Sequence, residues 1–175
     1  DGGFYYYTRF EEGYDYPVYC RKKGSMNAPE EIIANGNELG KNQKYFSFFV
    51  VNSPKHDLVA LCMDTVGRRF YTIKFKDMAT GKIVSDKIGG TTGNLTWAND
   101  NKTVVYSTQD PNTLRSDKVF RHTLGSKEKD PLIYEEKDQT LSCYVNKSKS
   151  KKYLCIASES TLTSEYQILL ASNPD

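Results

Sequence analysis

The sequence predicts an all-β fold: an incomplete β-propeller of about three to four blades, each an antiparallel four-stranded sheet. Two observations predict it. One pattern occurs three times: an apolar or aromatic strand, a polar turn and a second apolar strand. It lies at 48–51, 52–57 and 58–63, then at 95–98, 99–102 and 103–106, then at 141–145, 146–152 and 153–156. Taking Val51, Trp97 and Tyr144 as matching places, the spacings by subtraction are 46 and 47 residues, the period of four-stranded propeller blades. The composition agrees, because 13 Tyr and 8 Phe suit half-buried pleated surfaces.

The elements follow in order. Residues 4–9 read as a strand and 16–23 as its hairpin partner, joined by Glu11-Glu12-Gly13. Residues 27–42 open on Pro29-Glu30-Glu31 and are expected to hold a strand and a short helical turn near 37–39. The first complete unit has strands near 47–51, 58–63, 69–76 and 82–86. Its last two strands are joined by Met78-Ala79-Thr80-Gly81-Lys82, with glycine in the late turn position. The second unit has strands near 94–98, 103–107, 117–123 and 131–135. Its turn Asn99-Asp100-Asn101-Lys102 is rich in residues that tolerate left-handed geometry. The third has strands near 141–145, 152–157 and 165–170, and Asn173-Pro174-Asp175 resembles a turn into a fourth. One domain, 1–175, is therefore expected to divide into a partial first blade and connection (1–46), two blades (47–93 and 94–140) and a truncated blade (141–175). An arc of blades leaves an apolar face uncovered at each end, so self-association through exposed blade edges, or rearrangement of the terminal strands, is expected.

Several function classes are excluded. The net charge is +2 with both signs interspersed, which leaves no basic footprint for nucleic acid or an anionic membrane. No apolar run approaches the length of a membrane-spanning helix. The opening Asp1-Gly2-Gly3-Phe4-Tyr5-Tyr6-Tyr7 starts directly in a strand pattern, with no basic region or cleavage site, so the chain is expected to begin inside a structure. Cys20, Cys62, Cys143 and Cys155 each sit in an apolar run and lack the close pairing of metal or redox sites. Buried free thiols are expected, and they suit a reducing cytoplasm, with the periplasm as the alternative. Asn94-Leu95-Thr96, Asn101-Lys102-Thr103 and Asn146-Lys147-Ser148 match the glycosylation triplet and are read as turn chemistry.

No catalytic, cofactor-binding or metal-ligating constellation emerges. Nucleophile-elbow, zinc-helix, phosphate-loop and dinucleotide motifs are all missing from the sequence. His56, in a turn beside Asp57, and His122, ending an alternating strand, are expected to be surface or edge residues rather than general bases. Glu11-Glu12 and Glu135-Glu136 are sequence neighbours, which a strand would send to opposite faces. The loops joining the second and third strands of each unit, 64–69, 108–116 and 158–165, must share one end of their blades. They carry Arg68, Arg69, Arg115 and Glu159 among hydroxyls. Either they form an interdomain or substrate-gating face, or they are ordinary solvated loops.

At these same residues the chain resembles a known family. Residues 4–13 (FYYYTRFEEG), followed by Tyr16-Pro17-Val18-Tyr19-Cys20-Arg21, resemble the propeller opening of the oligopeptidase B (protease II) branch of the prolyl oligopeptidase family. So do Asp64-Thr65-Val66-Gly67-Arg68-Arg69-Phe70-Tyr71 and Trp97-Ala98-Asn99-Asp100-Asn101-Lys102-Thr103. Arg121-His122-Thr123-Leu124-Gly125, Tyr134-Glu135-Glu136-Lys137-Asp138 and Ser164-Glu165-Tyr166 continue the likeness in order. Ser53-Pro54-Lys55-His56-Asp57 departs from the Asp-Gly type of turn that family members tend to have there. The resemblance implies a serine peptidase that pairs a seven-bladed propeller with an α/β-hydrolase domain and cuts short peptides after Lys or Arg. It places the catalytic triad in the hydrolase domain, so no catalytic residue is carried over to this chain. It gives the propeller the role of restricting and gating substrate access. The hydrolase domain and short basic peptides are then the implied partners. Two other readings compete with this noncatalytic segment. One is a stand-alone propeller-like protein-binding scaffold; the other is a propeller enzyme with a site near the ring axis.

Overall fold

The computed structural model describes residues 1–174. The chain is nearly all-β, 53% strand and 2% helix. The first sheet holds β1 (Phe4–Arg9), β2 (Val18–Lys23) and β3 (Glu31–Asn35). A one-turn helix, α1 (Gly36–Leu39), follows, its N-cap Asn35 accepting from the Asn37 N–H. The second sheet runs in chain order through β4 (Ser47–Asn52), β5 (Leu58–Asp64), β6 (Tyr71–Asp77), β7 (Ile83–Trp97), β8 (Thr103–Gln109), β9 (Ser116–Thr123) and β10 (Leu132–Glu135). The third holds β11 (Ser142–Lys147), β12 (Tyr153–Glu159) and β13 (Ser164–Leu170). Neighbours in each sheet are antiparallel, and the sheets do not close into a ring. Beyond β13, Asn173 bridges back to Leu170; Asp175, the last residue of the expected final turn, lies outside the described residues.

The seven-stranded sheet differs from the separate four-stranded sheets expected. Residues 82–86 and 94–98 read as two strands, yet β7 is a single bent strand of 15 residues. Its first part pairs with β6 and its last part with β8, while Thr91 lies opposite both Tyr71 and Thr108. The stretch between, Lys87-Ile88-Gly89-Gly90-Thr91-Thr92-Gly93, looks like a loop in sequence because of its glycines, although Ile88 packs in the core. The bend needs those glycines: Gly90 and Gly93 have φ of 69° and 83°. A Cβ at Gly93 would stand 2.9 Å from the Tyr71 ring.

Period-two alternation makes each middle strand serve two cores. On β5, Val59 and Leu61 pack with Ile33, Phe46 and Phe48. Ala60 and Cys62, on its other face, pack with Ile73, Phe75, Trp97 and Val104. Val104 and Tyr106 of β8 belong to that second core, while Val105 joins Cys143, Val145, Leu154 and Ile156 in a third. This sharing of faces is how propeller blades bury surfaces that none could bury alone. The series stops at the third sheet. Register places Tyr153 opposite Leu170, Cys155 opposite Ile168 and Ala157 opposite Tyr166. On that face Tyr153, Tyr166, Ile168 and Leu170 are 41%, 54%, 64% and 56% exposed.

The repeat itself is present, but one residue out of the expected alignment at its start and three at its end. The three first-strand hairpins close alike: the N–H of Ser53, Ala98 and Ser148 donates to the carbonyl of Leu58, Thr103 and Tyr153, at 2.9, 2.8 and 2.9 Å. His56, Asn101 and Lys151, each three residues into its turn, have φ of 62°, 65° and 59°. The equivalent last strand residues are therefore Asn52, Trp97 and Lys147, spaced 45 and 50 by subtraction, rather than Val51, Trp97 and Tyr144. A one-residue slip moves a side chain to the other face. Of the three glycosylation-like triplets, Asn101 lies in a turn, whereas Asn94 and Asn146 lie within β7 and β11. All four cysteines are free, three buried and Cys155 half-buried.

Candidate functional site

The first strands of successive units, β4, the end of β7, and β11, lie side by side. The Asn94 side chain bonds both the N–H and the carbonyl of Val145, at 2.6 and 2.9 Å. Trp97 Nε1 donates to the Val51 carbonyl at 3.2 Å, and Lys147 Nζ donates to the Trp97 carbonyl at 2.9 Å. Residues at equivalent positions thus hold the preceding first strand in the same way. This convergent side has two ends: one formed by the loops between second and third strands, the other by the hairpin turns.

At the loop end, each loop is closed by a side chain at its start. Asp64 accepts from the N–H groups of Val66, Gly67 and Arg69; Asp110 accepts from those of Asn112 and Thr113. The Ser160 hydroxyl accepts from Leu162 and Thr163. These are local Asx and Ser/Thr turns, which satisfy the loop backbone. Arg68 and Arg69 are exposed; the Arg68 guanidinium lies 6.0 Å from the Phe70 ring centroid. Their carbonyls receive the Gln109 amide at 3.3 Å, which ties this loop to the next unit. Arg115 is half-buried and donates to the carbonyls of Leu141, Asp138 and Glu136 at 2.8, 3.1 and 3.2 Å. Glu159 is the last residue of β12 rather than part of a loop. The Tyr144 and Tyr166 hydroxyls hold its carboxyl below the ordinary range, and Glu159 in turn pushes Tyr144 up to about 12. The four residues share one end, but no ion pair joins them among the described residues. Near them, a cavity of about 300 Å³ is lined by Arg69, Thr92, Asn94, Ser107, Gln109 and Tyr144, among others. Its hydroxyls bond one another: Thr92 Oγ1 and Ser107 Oγ are 2.6 Å apart.

A larger cavity, about 420 Å³, opens at the turn end, with Tyr6, Asn52, His56, Thr96, Trp97 and Lys147 in its wall. His56 is buried, contrary to the surface position expected. Its Nδ1 lies 2.7 Å from the Tyr6 hydroxyl, and its carbonyl accepts from the buried Arg21 guanidinium. Burial first, then the charge of Lys151, holds the imidazole below its ordinary range. His122 is also buried, with Nδ1 2.8 Å from Asp130 and Nε2 3.2 Å from Asp86. Sequence could not show either placement, because the partners are 50, 8 and 36 residues away. No group of three or more His, Cys, Asp or Glu could hold a metal ion among the described residues. Lys147 was not singled out from sequence. Its only visible signal is a lysine closing an otherwise half-buried strand.

Comparison with known proteins gives this architecture its relatives. The family model for the N-terminal β-propeller domain of prolyl oligopeptidase matches residues 1–175. Dipeptidyl aminopeptidase BI of Pseudoxanthomonas mexicana is 35% identical, covering 98% of this chain and 26% of the relative. Protease 2 of Moraxella lacunata is 34% identical, covering 99% and 26%. The structure of oligopeptidase B from Leishmania major superposes with a TM-score of 0.92 at 33% identity, covering 99% of this chain and 25% of that one. The chain thus spans about a quarter of the length of the relatives it matches. The likeness runs through all three sheets, and on it the chain belongs to the prolyl oligopeptidase family, within the N-terminal β-propeller domain.

Proposed function

We propose that this chain is the noncatalytic, substrate-gating wall of an oligopeptidase B-like serine peptidase that cleaves short peptides after Lys or Arg. The observation that carries the reading is the match to oligopeptidase B over 99% of the chain. The relatives attach their propeller to a catalytic peptidase domain. In this reading such a domain, elsewhere in the same polypeptide, supplies the nucleophile. The three shared cores and the bonds between first strands support a stiff wall, and a stiff wall selects by size where a mobile one would not. The loop end offers Arg68 and Arg69, exposed and without an ion-pair partner among the described residues, toward the hydrolase domain. The exposed apolar face of the third sheet would be covered by a further blade. The 175-residue segment alone is expected to associate through that face, and a monodisperse monomer in light scattering would count against this.

The test uses the whole polypeptide and a series of Lys- or Arg-containing peptides of increasing length, with free and acetylated N-termini. Cleavage after the basic residue is expected, falling steeply with length and indifferent to acetylation. Equal cleavage of long unfolded chains would overturn the gate. Release of dipeptides only from free N-termini would replace the basic-residue specificity with the activity named for the Pseudoxanthomonas mexicana relative.

A further inference from the structure

We infer that the cavity at the turn end is a docking site for the C-terminal carboxylate of a short peptide, an inference that rests on the peptidase reading above. Three polar residues with spare hydrogen-bonding capacity line the cavity wall, one from each of three successive first strands: Asn52 of β4, Thr96 of β7 and Lys147 of β11. Among the described residues, neither the Asn52 amide nor the Thr96 hydroxyl has a hydrogen-bond partner. Among the same residues Lys147 bonds only the Trp97 carbonyl, which leaves it two of its three N–H groups to spare.

The wall carries more positive than negative side-chain charge. Its cations are Lys147 and Lys151, and its one carboxylate, Asp1, lies 2.9 Å from Lys151 Nζ. Lys147 is half-buried, and among the described residues no carboxylate lies within ion-pair distance of it. Burial, then repulsion from Lys151, pulls its ammonium below the ordinary range. A partly desolvated cation with spare donors gains most from an anion that can accept more than one bond. Asn52 and Thr96 add the neutral donors that a carboxylate's second oxygen requires.

The rest of the wall argues for a peptide rather than a small ion. Val51, Pro54 and the Trp97 indole supply an apolar side, and about 420 Å³ lies within the range of sites that enclose small organic ligands. Trp97 is 3% exposed and fixed by Phe75 at 5.5 Å, so the wall is formed before any ligand arrives.

The experiment uses the whole polypeptide and two fluorescent peptides of identical sequence, one ending in a free carboxylate and one in an amide. Direct binding by anisotropy is measured beside kcat/KM for each. The free acid is expected to bind about tenfold more tightly, the scale of one charge-assisted bond partly open to water. Lys147→Gln should abolish that preference and leave the amide peptide unaffected, Lys147→Arg should restore it, and Lys149→Gln should leave it intact. A preference unchanged in Lys147→Gln, or none in the wild type, overturns the inference. Sulfate or acetate competing as well as the peptide acid would also overturn it, by showing a site for free anions. If neither peptide is cleaved but the acid still binds through Lys147, the peptidase reading fails and the site stands.

Discussion

At the loop end, Arg115 commits its guanidinium to three carbonyls of the following connection, and two tyrosines enclose the Glu159 carboxylate. At the turn end, Lys147 bonds one carbonyl and lines a cavity with two donors to spare, beside Asn52 and Thr96, whose side chains have no hydrogen-bond partner among the described residues. The loop end carries more charged residues in sequence, yet Arg115 and Glu159 are already bonded, and its available charge is confined to the exposed Arg68 and Arg69. Whether a charged side chain can bind something depends on which of its hydrogen bonds the fold already satisfies. A cation that fixes backbone carbonyls is part of the scaffold, and its removal changes stability before it changes recognition.

The largest expected effect follows from the element that forms the turn-end wall. Trp97 is buried in the core shared by two units, edge-on to Phe75, with its indole N–H on the Val51 carbonyl. Trp97→Ala removes that packing and should cost about 3–5 kcal/mol, the range for deleting a large buried aromatic. Hydrogen exchange of the β4, β7 and β8 amides in the whole polypeptide would report it as lost protection concentrated at the turn end. Equal loss of protection at the loop end would break the comparison, since the two ends would then be one cooperative unit.

Much of this arrangement is legible in the sequence, and the exceptions have a common cause. Strand positions such as 4–9 and 58–63 could be read because alternation and turn residues are local signals. The likeness to a peptidase propeller was carried by runs such as 64–71, and the fold and family agree with it. Arg68 and Arg69 could likewise be read as exposed loop cations, and they are. The equivalence of Asn52, Trp97 and Lys147 could not be read, because those three side chains share a position and no chemistry. Trp97 and Lys147 each donate to a carbonyl of the preceding first strand, a contact 46 or 50 residues away. The burial of His56 and His122 was hidden in the same manner by distant partners, Tyr6 for one and Asp86 with Asp130 for the other. Local pattern reports an element's type, whereas satisfaction of a polar group is a property of the packed chain.

The smaller effects divide the loop end itself. Arg115→Met keeps the aliphatic stem but leaves the carbonyls of Glu136, Asp138 and Leu141 without that donor. The expected loss is about 1–3 kcal/mol, partly offset where water reaches those carbonyls. Arg68→Glu and Arg69→Glu change exposed side chains whose backbone bonds to Gln109 do not depend on them, so stability should move by no more than about 0.5 kcal/mol. In the whole polypeptide these two reversals should instead change KM or rate, because an unpaired cation is what a facing domain can use. The paired measurement is denaturant unfolding beside steady-state kinetics for all three variants. Arg115→Met changing stability, with Arg68→Glu and Arg69→Glu changing kinetics, would sharpen the division between scaffold charge and available charge. If the reversals leave kinetics and interdomain proteolysis untouched, Arg68 and Arg69 are solvated loop ends, and the loop end then has no free charge with a role.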